Sequence, residues 1–222
     1  VSGDLGPGDH TRLRRLPEKA AYDAATVYAI LDEAPYVHLA AVVDGLAMSL
    51  PTLHLREGNT LYVHSSKSNA LVRSALAAGR VSLTATLYDG LRLARSGFES
   101  SIAYRSVVAV GSVREVDDRR EKRRLLEGFV DAVLPGRASE VREMSEREAA
   151  LTLVVAIEIT EASAKVSEGP THDEPEDAAL PIWAGTVPAR LVYGEPVGAT
   201  DGAMAGAGLP LPASLRRLMR EG

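Results

Sequence analysis

Residues 65–69, Ser65-Ser66-Lys67-Ser68-Asn69, place three hydroxyls, an ammonium and an amide in consecutive positions. They follow an apolar-alternating stretch, Thr60 to His64, and precede Leu71, Val72, Ala75 and Leu76, which share one face of a helix expected over Asn69 to Ala78. The first N–H groups of a helix lack internal partners, and the helix dipole is positive there, so such an end attracts anions. Hydroxyls and an ammonium around it suit a phosphate monoester. The plainer alternative is that Ser66 or Ser68 is an ordinary helix cap and Lys67 a solvated charge.

A second polar cluster runs from Glu99 to Ser106 and contains Ser100, Ser101, Tyr104 and Arg105. Arg105 offers charge to an anionic ligand, and Tyr104 a flat face or a hydroxyl. A polar surface loop accounts for the same composition. The histidines do not form a metal set. With Arg56 to Asn59 as a hairpin loop, Leu55 pairs with Thr60, and His64 falls opposite Pro51, on the other sheet face from His54. His10, His38 and His172 fall at no ligand spacing. His64, at a strand end beside the hydroxyl-rich link, suits hydrogen bonding to a ligand. There is no Gly-x-Ser-x-Gly elbow, and the acids Asp117-Asp118 and Glu146/Glu148 read as solvated helix surface. The lone tryptophan, Trp183, reads as packing surface or ligand contact.

The elements that must hold these groups follow from periodicity. Asp23 to Leu31 reads as a helix. Tyr36 to Val43, Leu46 to Leu55 and Thr60 to His64 read as a meander, with Asp44-Gly45 as a turn and Pro51 demanding an edge or a bulge. Val81 to Leu87 alternates with period two, then Asp89-Gly90 reads as a turn into Leu91 to Phe98. After the interruption at residues 99–104, Arg105 to Val116 is a long strand with Gly111 at a bulge or close backbone approach. Asp118 opens a helix striped by Leu125, Leu126, Phe129 and Val130. Arg137 to Ala149 reads as a second, highly charged helix, and Leu151 to Thr160 as a strand running on towards Val166. Ile182 to Val192 reads as a short strand or arm, and Leu211 to Met219 as a short helix.

The 222 residues divide into a leader (1–17), one folded domain (18–192) and a Gly/Ala-rich tail (193–222). Six or seven closely spaced strands with two helical insertions make the fold mainly β, a β-barrel with peripheral helices. A net charge of −5 argues against nucleic-acid binding. No apolar run approaches the ~20 residues of a membrane span. The absence of cysteine removes thiol catalysis and disulfides. A cytoplasmic protein is the expectation.

Several blocks in fixed order resemble the FMN-binding split-barrel proteins related to pyridoxamine 5′-phosphate oxidase, in particular the nitroimidazole-resistance-like subgroup. They are Asp44-Gly45 with Pro51, Tyr62 to Asn69, Thr84 to Ser96, Tyr104 to Val108, and Trp183 to Pro188. The resemblance implies a six-stranded Greek-key split barrel, FMN in grooves at a homodimer interface, and a small-molecule substrate. It implies that Ser49, Leu50, Pro51, Thr52, Leu53 and His54 lie along the isoalloxazine edge, and that His64, Ser65, Ser66, Lys67 and Asn69 hold the ribityl phosphate. It further implies that Arg105 and Ser106, beside Tyr104, lie near the cofactor, and that Trp183 and Arg190 approach it from the partner subunit. Relatives carry Phe-His-His-Ser where this chain has Phe98-Glu99-Ser100-Ser101, so binding is better supported than turnover. The implied activity is electron transfer from a nicotinamide or similar donor to a small organic acceptor or oxygen. A non-catalytic module holding flavin or haem, or one using a deazaflavin, is the alternative.

Overall fold

The computed structural model describes residues 3–199 and 208–221. In chain order the elements are β1 (Ala20–Ala21), α1 (Ala24–Glu33), β2 (Val37–Val43), β3 (Leu46–Thr52), β4 (His54–Glu57), β5 (Thr60–Ser66) and α2 (Ala70–Ala78). They continue with β6 (Arg80–Leu93), β7 (Ser101–Glu115), α3 (Arg119–Val133), α4 (Glu146–Leu151), β8 (Thr152–Ser167), β9 (Gly185–Pro188) and α5 (Ala213–Glu221). The strands form one antiparallel sheet in the order β3-β2-β6-β7-β8-β5-β4, with β1 added to β8 and β9 to β6. β3 and β4 are separated only by Leu53, so the sheet begins and ends on one stretch of chain and folds back on itself. The sheet has nine strands where six are expected. The surplus consists of the short additions β1 and β9 and the break at Leu53, which divides one strand in two.

The helices begin where their sequences supply a cap. Asp23, Asn69 and Asp118 each accept a hydrogen bond from the backbone N–H three residues on, at 2.8, 3.2 and 2.8 Å. α2 ends at Gly79, whose φ of 68° requires a residue without a Cβ penalty. The apolar faces of α1 and α2 complete the barrel core, where Val27, Ile30, Leu31, Leu71, Val72 and Ala75 meet Leu39, Leu61, Leu83 and Ile157. α3 covers the outside of β5 and β8, burying Leu125, Leu126 and Phe129 on Tyr62, Val154 and Ala156. Burying a side chain of that size stabilises by about 1.5–3 kcal/mol.

Four sequence expectations are corrected. The β4–β5 hairpin turns on Gly58-Asn59 alone, because Glu57 still pairs with Thr60. His54 then pairs with Val63, a register shifted by two residues, and an even shift leaves His54 and His64 on opposite faces. Asp89-Gly90 is not a turn. β6 runs straight through it with a register shift between Tyr88 and Gly90, and β7 starts at Ser101, so residues 101–104 belong to the strand. Gly90 has φ 142°, and a Cβ there would lie 2.2 Å from the Val187 carbonyl oxygen, so this glycine admits β9. The predicted charged helix over Arg137 to Ala149 is reduced to a single 3-10 turn, Ala138–Glu140, and the short α4. α4 starts at a capping box in which Ser145 and Glu148 satisfy each other's backbone N–H groups.

Pro51 lies on β3, which bonds only to β2 among the described strands, and an edge strand is where a residue without a backbone donor is tolerated. Gly111 marks a close approach. A Cβ there would lie 2.6 Å from the Glu158 carbonyl oxygen, and the ladder to β8 shifts register between Val110 and Gly111. Residues 200–207, within the Gly/Ala-rich tail, lie outside the described residues.

Candidate functional site

A cavity of about 620 Å³ opens where the end of β5 delivers the chain to α2. One wall is β3, through Leu50, Pro51 and Thr52. The opposite wall is His64, Ser65 and Ser66, and Asn69 stands at the mouth of α2. Leu39, Leu71 and Val72 form an apolar floor, and Leu151 with Thr152 closes the rim. The local sequence dictates this shape. The Asn69 backbone N–H donates to the Ser66 carbonyl at 3.0 Å, and the Ser68 N–H to the Ser66 hydroxyl at 3.3 Å. The link therefore turns tightly and brings its hydroxyls beside the α2 N-terminus, whose first N–H groups have no partner within the helix.

His64 is the titratable group of this cavity. Its ring sits edge-on to Phe129, with centroids 4.7 Å apart, and burial pushes its pKa below the ordinary histidine value. The imidazole is therefore neutral at pH 7, one nitrogen donating and the other accepting. Seven residues expected at the site line this cavity, namely Leu50, Pro51, Thr52, His64, Ser65, Ser66 and Asn69. Leu39, Leu71, Val72, Leu151 and Thr152 complete its lining without a functional signal of their own. Leu71 and Val72 belong to the apolar helix stripe, and Thr152 reaches the rim by pairing with Ser66 across the sheet.

The remaining expected residues lie elsewhere in the single chain. His54 is buried, its Nε2 2.7 Å from the Leu31 carbonyl, where it locks α1 to β4 and does not line the cavity. Its own burial lowers its pKa. Ser49 is on β3 opposite Ala40, and Leu53 packs toward the α3 cluster. Lys67 lines a neighbouring groove rather than the cavity. Arg105 donates to both Glu33 oxygens, at 2.5 and 2.7 Å, and to both Asp89 oxygens, at 2.9 and 3.0 Å. Bonding to Glu33 first and Asp89 second raises its pKa further, so its charge is already matched within the chain. Tyr104 and Ser106 flank it on β7, paired with Ser167 and Lys165 of β8. Trp183, 65% exposed, lies over Gly185, and Arg190 is exposed beyond β9. Among the described residues no group of three or more His, Asp or Glu side chains is placed to hold a metal ion, and no helix is long and apolar enough to cross a membrane.

Residues 23–166 match the family model described as pyridoxamine 5′-phosphate oxidase, which spans every strand lining the cavity. The chain belongs to that family. Among solved structures it resembles the flavocytochrome Anf3 from Azotobacter vinelandii, at 33% identity and TM-score 0.87, covering 96% of this chain and 97% of that one. It also resembles the FAD- and haem-binding protein from Mycobacterium smegmatis, at 35% identity and TM-score 0.83, covering 90% and 97%. A 5-nitroimidazole antibiotic resistance protein from Bacteroides thetaiotaomicron shares 20% identity at TM-score 0.57, covering 66% and 86%, a likeness of fold alone. No curated protein matches the chain. Membership of the pyridoxamine 5′-phosphate oxidase family makes the curved sheet a split barrel.

Proposed function

We propose that this chain is a flavin-binding redox protein that holds the flavin's ribityl phosphate at the Ser65–Asn69 link and its ring along β3. The observation that carries the reading is the cavity itself. It joins hydroxyls and a helix N-terminus at one end to an apolar floor and a free strand edge at the other. Bound flavin supplies reversible hydride and one-electron chemistry. The chain's own residues bind and orient. Ser65 and Ser66 offer hydroxyl donors and α2 offers backbone N–H groups to the phosphate. Thr52 offers a hydroxyl at the ring edge, and the neutral His64 offers one donor and one acceptor without adding charge. The same proposal takes the electron donor to be a nicotinamide or similar molecule and the acceptor a small organic molecule or oxygen.

A homodimer belongs to the same proposal. Val42, Tyr88, Ile102, Val108 and Val187 are exposed apolar residues of the sheet, and Leu46, Met48 and Leu50 are exposed along the free edge strand, where a second copy would cover them. Haem as a second group is favoured by the two relatives about one-third identical to this chain, one a flavocytochrome and the other a binder of FAD and haem. His38, exposed on β2 with its ring 5.5 Å from that of Tyr36, would be available to ligate haem iron outside the flavin cavity. The test is the visible spectrum of protein incubated with flavin and desalted, followed by mixing with NADH or NADPH. Retained flavin bands that bleach with a donor support the proposal. A colourless protein after desalting refutes it, and a Soret band identifies haem.

A further inference from the structure

We propose that the exposed basic face beside the cavity docks an acidic electron-carrier protein. The docking stands on the charge of that face, and its redox purpose rests on the flavin reading above. Two grooves, of about 820 and 430 Å³, meet at Lys67 and Glu115, which line both. Lys67, Arg73, Arg119, Arg120, Lys122 and Arg123 line them against three carboxylates, Glu115, Asp117 and Glu146. Three positive charges are in excess here, on a chain whose net charge is −5. The face therefore reverses the sign of the molecule locally, and such patches steer and orient an oppositely charged partner.

Much of this charge is unmatched within the chain. Arg119 and Arg123 share one carboxylate, Glu146, the former at 2.7 Å. Lys67, Arg73, Arg120 and Lys122 enter no ion pair among the described residues. Lys67, Arg73, Arg119 and Arg120 are exposed, which suits a broad protein surface, whereas a small ligand is held in an enclosing pocket. Helix stability does not account for Arg119 and Arg120, because cations in the first turn of α3 oppose its dipole. A nucleic acid fits less well, since its unbroken row of phosphates would run from this patch onto the acidic remainder of the chain.

The face adjoins the cavity through one strand ladder. Ser66 pairs with Thr152 and Ser65 with Leu153. Ser66 and Thr152 line the cavity, and Lys67 and Leu153 line the grooves. A carrier seated on the grooves thus stands across a single pair of strands from the proposed flavin, close to it yet outside its pocket. Two reduced one-electron carriers, docking in turn, convert oxidised flavin to its two-electron reduced form. Each carrier is oxidised by one electron, and the protons come from solvent.

The test titrates the full chain, incubated with flavin, into a fluorescently labelled acidic two-iron ferredoxin and reads anisotropy at about 50 and about 500 mM NaCl. Binding is expected to weaken about tenfold or more over that range, because complementary exposed charges are screened. The double variant Arg120→Glu, Lys122→Glu should lose about tenfold at low salt, whereas Arg14→Glu, Arg15→Glu, on the exposed leader, should change it by less than about twofold. A carboxylate at position 120 suits the α3 dipole, so the groove variant should melt at or above the native temperature. Anaerobic mixing with reduced ferredoxin should bleach the flavin bands, at a rate that falls in the groove variant alone. Absent or salt-independent ferredoxin binding, equal losses in the two variants, or tighter binding of a short DNA duplex than of ferredoxin overturns the docking. Binding without bleaching of retained flavin overturns the electron-carrier role and leaves the flavin reading standing. A chain that retains no flavin overturns the flavin reading, and the anisotropy still decides the docking.

Discussion

Replacing Asn69 separates capping from ligand binding. Its side chain accepts the Val72 N–H at 3.2 Å, and it also lines the mouth of the cavity. In Asn69→Ala that cap is lost at a cost of about 1 kcal/mol, which lowers the melting temperature of a chain this size by about 2–4 °C. Asn69→Asp keeps the cap and gains a favourable interaction with the helix dipole, so the empty protein should melt at or above the native temperature. The same carboxylate stands beside the proposed phosphate. At a separation of about 8 Å and an effective dielectric constant of about 20, two like unit charges repel by about 2 kcal/mol, or about thirtyfold in affinity. Melting followed by circular dichroism, together with flavin titration of the same two variants, reads both quantities. The reasoning fails if Asn69→Asp binds flavin as tightly as the native chain, because the anion then lies elsewhere.

Three further outcomes follow from the geometry. Acidification from pH 7.5 to 5 should lower the denaturant midpoint. Burial depresses the folded pKa of His54 and His64, so the unfolded chain takes up protons first as pH falls through the ordinary histidine value of 6.5. The arginine-paired acids, Glu33 among them, have depressed pKa values and lose their contribution only below the ordinary 4.5, so a midpoint flat over the upper window would contradict the histidine assignment. Arg105→Ala should cost about 1 kcal/mol, discounted for the exposure of its partners, and Arg105→Lys should not restore it, because a single ammonium cannot replace four forked bonds. Loss of flavin affinity with unchanged melting would instead put Arg105 at the cofactor. Gly111→Ala should destabilise by about 2–4 kcal/mol in urea unfolding, since its Cβ meets a backbone oxygen that cannot step aside; an unchanged midpoint would show that β8 yields there.

What the sequence disclosed was local. Asp118 and Gly79 announce helix ends through chemistry within three or four residues, and the structure starts or stops helices there, whereas α2 is capped by Asn69 and not by the expected Ser66 or Ser68, and Asp23 caps α1 from outside it. The hydroxyl-rich link was legible for the same reason. Features set by distant partners were not. Asp89-Gly90 has the composition of a hairpin turn, yet β7 on one side and β9 on the other hold β6 straight through it. The short β4–β5 turn depends on whether Glu57 and Thr60 pair, which their types do not decide. Arg105 advertises an anion partner, and within the chain it pairs with Glu33 and Asp89, 72 and 16 residues away, which no local pattern discloses. The charged stretch after α3 reads as helix by composition, but Pro135-Gly136 and the capping box at Ser145 confine helix to its last turns.

The free edge of β3 has a consequence for handling the protein. An open strand edge bearing Leu46, Met48 and Leu50 is a template for unwanted strand addition, and Pro51 interrupts it at only one position. A ligand seated along that edge would occupy the same backbone groups that a stray chain would use. Purification with flavin present should therefore yield material that stays dispersed on concentration, whereas the stripped protein should scatter light sooner.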